Sequence, residues 1–411
     1  MTSTSLGNLS LDFSSPHTIA YFNFTPVFQW KQLDYEPSFA PGSTQILEDE
    51  TFNTESLDPR FMAVYGEMIL LSLYKHHISI PASLVSLPTS SASSEPPKLT
   101  PFPSREMNKP GICNYIEEAK GLQVDAHGRL WVLDNGSENC NAKIWTIELI
   151  SKKRTKLIHR FTFHGSIHDL ALDETPEGTF AYITGLGQHH IVVFSFERKK
   201  TWMVYTPGIG PYSIAMSPKE SRELYLSFLN RLYSIPVAEL CNGTGTANPK
   251  LIGEWSAEPY SMLMDNQGIL VATVLEQNYI IFWDTSKPFE EQRIYEDAGL
   301  TSARPFTLAK DQNGTLWRFM LKIKGEPKYL LSKFKFRAKS FKVSSGKFPL
   351  IPFRLTTFLS QKNIFLFVFR ANQRALFIHA LLFKLTNQLQ PRLLAFQFFS
   401  SKISLIVIHP N

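Results

Sequence analysis

The chain has 411 residues, of which 43% are hydrophobic, 13% aromatic and 19% charged. That aromatic content excludes a wholly disordered chain, and three cysteines exclude a small disulfide-rich scaffold. The net charge of +6 conceals an uneven distribution, because residues 327–411 contain 14 Lys and Arg and no acid, whereas residues 1–326 contain 28 basic and 36 acidic residues, a net charge of −8. The positive total therefore does not indicate a nucleic-acid partner, and none is expected.

Residues 1–24 are predicted to form an N-terminal extension. Their sequence lacks a basic segment followed by a continuous apolar one, so it does not have the pattern of a secretory signal. No run of 18 uncharged apolar residues occurs, so no transmembrane segment is expected. Asn-x-Ser/Thr sequons give weak support for secretion, and the candidate glycosylation sites are Asn23, Asn135, Asn242 and Asn313.

A turn pattern of the type Asp-x-x-Gly-x-apolar recurs along the chain. Strict copies begin at residues 125, 265 and 311 and looser copies at Asp173 and Ser217, which gives successive spacings of 48, 44, 48 and 46 residues along the chain. A degenerate earlier copy lies near Ala63. Apolar, β-rich segments flank each copy, which predicts a strand, a tight turn and two further strands. Units of this length built from strands are typical of β-propellers. We therefore predict an all-β, six-bladed β-propeller over residues 25–336; a β-sandwich with coincidental turns is the alternative.

Two further segments have predicted places in this architecture. The apolar stretch from Thr25 to Tyr35 could supply the outer strand that closes the last blade. Residues 88–104 are rich in Pro and Ser, which predicts a surface loop.

Residues 337–411 are interpreted as a basic, Phe-rich tail. The region from residue 327 onward contains 14 of the 32 Phe residues and no copy of the turn. One interpretation is a basic amphipathic segment that binds a membrane or a partner. The other, which we favour, is that much of the tail is disordered or is not authentic to the functional protein.

The segment Leu122–Gly136, LQVDAHGRLWVLDNG, resembles the signature of the yellow / major royal jelly protein family. Shorter stretches between residues 25 and 320 resemble the family in the same order. The resemblance implies a six-bladed propeller that is secreted and acts outside the cell. It also implies that the central channel binds a biogenic amine, as some members do, or that the protein converts dopachrome in the melanin pathway.

The resemblance further implies a disulfide between Cys113 and Cys140, which flank the signature; two free buried thiols are the alternative. Cys241 then has no partner. No Cys-x-x-Cys, zinc-type spacing, phosphate loop or dinucleotide fingerprint occurs, so neither a metal nor another cofactor is expected.

Aligning the repeat units on the turn predicts a ligand site where the innermost strands begin. Residues five positions before the turn are mostly aromatic, and those four before it are small and polar with one carboxylate. Aromatic faces attract cations, the carboxylate could pair with an ammonium group, and hydroxyls could bind ring hydroxyls. The alternative is packing between blades. The predicted ligand-binding residues are His168, Asp169, Tyr212, Ser213, Tyr260, Ser261, Phe306 and Thr307.

Three functions remain open at this point. The leading one is a secreted propeller that binds a small aromatic or biogenic amine in its channel. The second is an enzyme of the dopachrome-converting type, for which no catalytic residue is assigned. The third is a structural, cuticle-associated protein without a ligand. The oligomeric state is not predicted.

Overall fold

The computed structural model describes two compact units, one of them residues 17–337. Its described residues are 19–21, 24–37, 57–74, 80–109, 111–150, 154–163, 167–218, 222–241, 245–274, 279–295, 307–322 and 326–335. Their strands are β1 (Ile19–Tyr21), β2 (Thr25–Trp30), β3 (Asp58–Tyr65), β4 (Met68–Tyr74), β5 (Leu84–Pro88), β6 (Thr100–Pro101), β7 (Ala119–Val124), β8 (Arg129–Asp134), β9 (Lys143–Glu148), β10 (Thr155–Arg160), β11 (Ile167–Thr175), β12 (Gly178–Gly185), β13 (His190–Ser195), β14 (Lys200–Tyr205), β15 (Ile214–Met216), β16 (Glu223–Phe228), β17 (Arg231–Pro236), β18 (Lys250–Glu254), β19 (Pro259–Met264), β20 (Ile269–Val274), β21 (Tyr279–Asp284), β22 (Gln292–Tyr295), β23 (Thr307–Lys310), β24 (Thr315–Leu321) and β25 (Tyr329–Lys335). A 3₁₀ turn spans Glu106–Asn108, and the short helix α1 spans Val237–Cys241.

These strands form six sheets, which confirms the six-bladed β-propeller. Blades 1 to 4 contain β3–β6, β7–β10, β11–β14 and β15–β18, and blades 5 and 6 are built on β19–β22 and β23–β25. The first strand of each blade contacts the first strand of the next, and β23 contacts β3, so the ring is closed around a central channel.

N-terminal strands complete the last two blades. β2 pairs antiparallel with β25 and places Trp30 opposite Tyr329, which confirms the predicted closing strand. β1 pairs in parallel with β22 and adds a fifth strand to blade 5, a feature that the sequence pattern did not predict.

The repeated turn owes its shape to the Asp side chain. In blade 2, Asp125 accepts hydrogen bonds from the backbone N–H groups of His127 (3.0 Å) and Arg129 (2.9 Å) and from the Trp131 indole (2.8 Å). Gly128 has φ 73°, a left-handed conformation that glycine adopts without strain. Asp311 repeats the arrangement in blade 6, where it accepts a bond from the Trp317 indole at 3.0 Å.

The hydrophobic core is divided among the seams between blades. Six apolar clusters occur, and each contains residues of two adjacent blades. Trp131 lies between blades 2 and 3, Trp145 between blades 1 and 2, and Trp283 between blades 4 and 5. Each is at most 5% exposed, and full burial of such a side chain contributes about 2–3 kcal/mol.

Cys113 and Cys140 form the expected disulfide, with Cα atoms 5.2 Å apart, and Cys241 is a free, partly buried thiol. The disulfide lies beside the buried Lys143, whose ammonium group donates to the Cys113 carbonyl (3.2 Å) and to Glu117 (2.9 Å). These contacts link the loop between β6 and β7 to blade 2, because Cys113 and Glu117 lie in that loop and Lys143 begins β9.

The second unit comprises Met1–Pro16 and Ala338–Asn411. Its described strands are β26 (Arg354–Leu359), β27 (Phe365–Ala371), β28 (Arg374–Leu376), β29 (Leu394–Phe399) and β30 (Lys402–Val407). They form a three-stranded antiparallel sheet and a two-stranded antiparallel sheet. Within the described parts of the chain, no helix is long and apolar enough to cross a membrane.

Candidate ligand site at the channel mouth

The mouth of the channel is defined here as the end at which the innermost strands begin. In four blades the strand pairing shifts register at that point, at Pro59–Phe61, Ala119–Leu122, Ile167–Leu170 and Pro259–Ser261. Such bulges bend a strand and redirect a side chain. The residues within these four bulges include Arg60, Lys120, His168 and Tyr260.

Four aromatic rings from different blades meet at the mouth, and we call them the channel rings: Phe61, His168, Tyr212 and Tyr260. His168 stacks on Tyr212 with centroids 3.9 Å apart and planes 14° apart. The Tyr260 ring lies edge-on to His168 at 5.3 Å and to Tyr212 at 6.1 Å. Phe61 adds an edge contact with His168 at 5.3 Å. The structure thus brings together the three described aromatic residues that the sequence predicted.

Two cations lie at the rim of the channel rings. The Arg60 guanidinium donates to the Tyr260 hydroxyl (3.2 Å) and to Asp58 (2.7 Å). Lys120 forms an ion pair with Glu118 at 2.8 Å. Both cations also lie over the ring of Tyr74, at 4.7 Å and 4.6 Å from its centroid. Each positive charge at the rim therefore has a carboxylate beside it.

His168 is a neutral imidazole at physiological pH. Burial lowers its pKa to about 3, and the nearby charges of Lys120 and Arg60 act in the same direction. Its Nε2 lies 3.2 Å from the carbonyl oxygen of Tyr260. A carbonyl only accepts hydrogen bonds, so Nε2 carries the proton and donates it. The mouth therefore presents uncharged aromatic surface at this position.

Asp169 joins blade 3 to blade 4. Its carboxylate accepts hydrogen bonds from the Ser213 hydroxyl (2.9 Å) and from the backbone N–H groups of Ile214 (3.0 Å) and Leu170 (2.8 Å). Burial raises its pKa to about 6 although these bonds act in the opposite direction. The small polar residues Asp169 and Ser213 thus contact each other and hold the chain that carries Tyr212.

The other predicted site residues occupy separate positions. Ser261 is buried, and its carbonyl accepts a bond from the Thr273 hydroxyl at 3.4 Å. The Thr307 hydroxyl is buried and has no hydrogen-bond partner among the described residues. Phe306 lies outside the described residues.

Of the predicted glycosylation sites, two can be placed. Asn313 is exposed in the turn of blade 6. Asn135 is partly buried: its amide donates to Glu118 at 2.8 Å and accepts a bond from the Ile167 N–H at 3.3 Å. Asn23 and Asn242 lie outside the described residues.

Sequence reasoning missed the contribution of blade 1, namely Arg60, Phe61 and Tyr74. The degenerate copy near Ala63 lacks the Asp on which the other units were aligned. The signal that could have found Arg60 is its distance of five residues before Tyr65, which matches that of His168 before Asp173. Phe61, four residues before Tyr65, matches Asp169.

Comparisons with known proteins identify a matching family and similar proteins. The family model described as Major royal jelly protein matches residues 119–209 and 205–342. Protein yellow of Drosophila subobscura is 23% identical over 381 residues, covering 80% of this chain and 66% of that protein. Protein yellow of Drosophila melanogaster is 23% identical over 368 residues, covering 77% and 67%. The chain therefore spans about two thirds of the length of these relatives.

Among solved structures, a chain of the nidogen/laminin complex matches with a TM-score of 0.44 and 12% identity, covering 62% of this chain and 90% of that chain. The family assignment of this chain rests on the family model, because its two matches together span more than half of the 411 residues. The chain therefore belongs to the yellow / major royal jelly protein family.

Proposed function

We propose that this protein acts outside the cell and binds a small aromatic amine at the channel rings. The observation that carries the proposal is the convergence of Phe61, His168, Tyr212 and Tyr260 within 3.9–6.3 Å of one another. A neutral aromatic surface can stack on the ligand ring and attract its ammonium group. Secretion is proposed from the resemblance to the yellow proteins.

Tyr212 is the ring that we expect the ligand to contact. It is only half-buried, whereas Phe61, His168 and Tyr260 are each 5% exposed. Burial raises the pKa of the Tyr212 hydroxyl, and Tyr260 and the exposed Glu258 act in the same direction. An ammonium group near Tyr212 would therefore find both a π face and a carboxylate.

The proposal changes the role first expected for Asp169. Its carboxylate is held by three donors within the protein, so we assign it a positioning role that acts through Tyr212. The buried hydroxyl of Thr307, at the start of blade 6, is proposed to take part in ligand binding.

The test is calorimetric titration of dopamine and of serotonin into the full chain. We expect micromolar binding that Tyr212→Ala weakens at least tenfold, about 1.4 kcal/mol, and that Tyr212→Phe retains. Tyr205→Ala is the matched control, because Tyr205 is an exposed tyrosine on β14 that belongs to no channel contact.

A folded protein that gives no heat with either amine would overturn the proposal and favour a structural role. Folding of each variant is checked by its thermal melting curve. Equal weakening by Tyr212→Ala and Tyr205→Ala would also contradict the site, because only Tyr212 is one of the channel rings.

A further inference from the structure

A group of cations lies on the face opposite the mouth, where the turns of blades 2 and 3 are. We call it the basic cluster; it consists of Arg154, Lys156, Arg198, Lys199 and Lys200. All five are exposed, and none forms an ion pair with another described residue. This is a local concentration of positive charge on a region whose residues 1–326 have a net charge of −8.

Strand pairing places these cations on neighbouring hairpins. In the β9–β10 hairpin of blade 2, β9 ends at Glu148 and β10 begins at Thr155, so Arg154 and Lys156 flank the first residue of β10. The β13–β14 hairpin of blade 3 pairs Ser195 with Lys200. Because β9 and β13 both run away from the mouth, both turns emerge on the opposite face.

Lys199 occupies an unfavourable backbone conformation. Its φ is 52°, in the left-handed region that glycine or asparagine ordinarily fills in such a turn. The backbone conformation at this position does not favour a lysine over a glycine, so any advantage of lysine here comes from its side chain. Strained residues of this kind concentrate at functional sites.

An aromatic platform fixes the Lys199 side chain. Its ammonium group lies 3.3 Å from the centroid of Phe196, and the Arg129 guanidinium lies 4.7 Å from the same ring. Arg129 is paired with Asp125 at 2.6 Å. Burial lowers the pKa of the Lys199 ammonium group; the like charges of Lys156 and Arg129 act in the same direction, and the carboxylate of Glu197 opposes them. Positive groups are thus held close together at the seam of the two blades.

Two acids of these turns accept hydrogen bonds from the backbone. Glu174 accepts a hydrogen bond from the N–H of Ala126 at 2.7 Å, and Glu197 accepts one from the N–H of Thr179 at 2.8 Å. These two carboxylates are held by backbone donors, and all five residues of the basic cluster are exposed.

We propose that the basic cluster binds a linear sulfated polysaccharide. Such a chain carries sulfate groups at regular intervals, and ammonium and guanidinium groups on two adjacent blades can pair with several of them together. Single-stranded nucleic acid is less suited, because its bases need an open aromatic face, and Phe196 is contacted by Lys199 and Arg129. Duplex DNA is also less suited, because these tight turns offer no helix or ribbon for its groove.

The decisive substitution is Lys199→Gly in the full-length protein. Glycine removes one charge of the basic cluster and suits φ 52° better than lysine, so the melting temperature should stay equal or rise. Calorimetric titration with heparin at about 0.15 M salt should show binding at least threefold weaker for Lys199→Gly. The triple variant Arg198→Ala, Lys199→Gly, Lys200→Ala should weaken it at least thirtyfold and reduce the salt dependence.

The matched control removes three charges from the tail, by Lys339→Ala, Lys342→Ala and Lys347→Ala. This variant has the same net charge as the triple variant and should bind heparin within twofold of the unmodified protein. Equal losses in the two variants would mean non-specific attraction and would overturn the proposal. So would tighter binding to single-stranded RNA or to vesicles containing phosphatidylserine than to heparin. Desulfated heparin should bind at least tenfold more weakly than heparin.

Discussion

Aspartate side chains have different roles at the two ends of the propeller. At the turn end, Asp125, Asp265 and Asp311 each accept the two backbone N–H groups that close their own turn. At the mouth, Asp169 instead joins two blades, and the equivalent positions of the other blades hold different residues. The repeated Asp residues stabilise the turn of each blade, whereas the residues at the mouth differ from one blade to the next.

The largest expected effect tests the turn end. Asp125→Ala removes the acceptor for two backbone N–H groups, the Arg129 side chain and the Trp131 indole, and should cost about 4 kcal/mol of unfolding free energy. Asp265→Ala removes two backbone bonds and should cost about 2 kcal/mol. Urea denaturation at pH 7 measures both, and equal losses would show that the bonds from the Arg129 side chain and the Trp131 indole together contribute nothing.

The next effect concerns the mouth and depends on pH. The folded pKa of His168, about 3, lies below its ordinary 6.5, so the stability from its neutral form is present above pH 6.5 and is lost as the pH falls toward 3. The stability of the protein relative to His168→Gln should therefore fall by about 3 kcal/mol between pH 7 and pH 4. Urea denaturation at several pH values measures this difference. A difference that stays constant with pH would contradict a buried neutral histidine.

The neighbouring residue should show a smaller effect with the opposite sign. The folded pKa of Asp169, about 6, lies above its ordinary 3.8, so its protonation stabilises the fold as the pH falls through 6. At pH 7 Asp169→Asn should cost about 1 kcal/mol, because an amide whose oxygen accepts from Ser213 and Ile214 has no second oxygen to accept from the Leu170 N–H. The stability advantage of the unmodified protein over this variant should grow on moving from pH 7 to pH 5, and a shrinking advantage would refute the raised pKa.

The smallest expected effect concerns glycosylation, which should differ between the two ends of the propeller. When the protein is expressed through a secretory pathway, Asn313 at the turn end should carry a glycan and Asn135 at the mouth should not, because the Asn135 amide is hydrogen-bonded to Glu118 and Ile167. Peptide mass spectrometry before and after glycosidase treatment reports both sites. Asn313→Gln should leave the melting temperature unchanged, since its side chain is exposed.

The same contrast explains what could be predicted from the sequence. Regular spacing of Asp and Gly identified the blades because those residues fix a local turn, and local geometry repeats wherever its residues repeat. The aromatic residues His168, Tyr212 and Tyr260 were also found, because alignment on the turn places them in register. Asp169 received a ligand role although its partner Ser213 is the equivalent residue of the next blade, 44 residues further along the chain. Alignment of the units shows that the two positions are equivalent but not whether their side chains face the channel or each other. Arg60 and Phe61 were missed because the turn of blade 1 has no Asp, so this unit was not aligned with the others.

The closing strand has a consequence for the order of events during synthesis. β2 leaves the ribosome about 300 residues before β25, the strand with which it pairs. Until then its backbone groups have no partner in the ring, and the long separation between the two strands makes their pairing a slow, late step. Blades 1 to 4 can assemble from neighbouring segments as they emerge, whereas blades 5 and 6 also take β1 and β2 from the N-terminal end. A nascent chain stalled before Tyr329 would therefore be an open arc, with its first apolar strand exposed to chaperones or to aggregation.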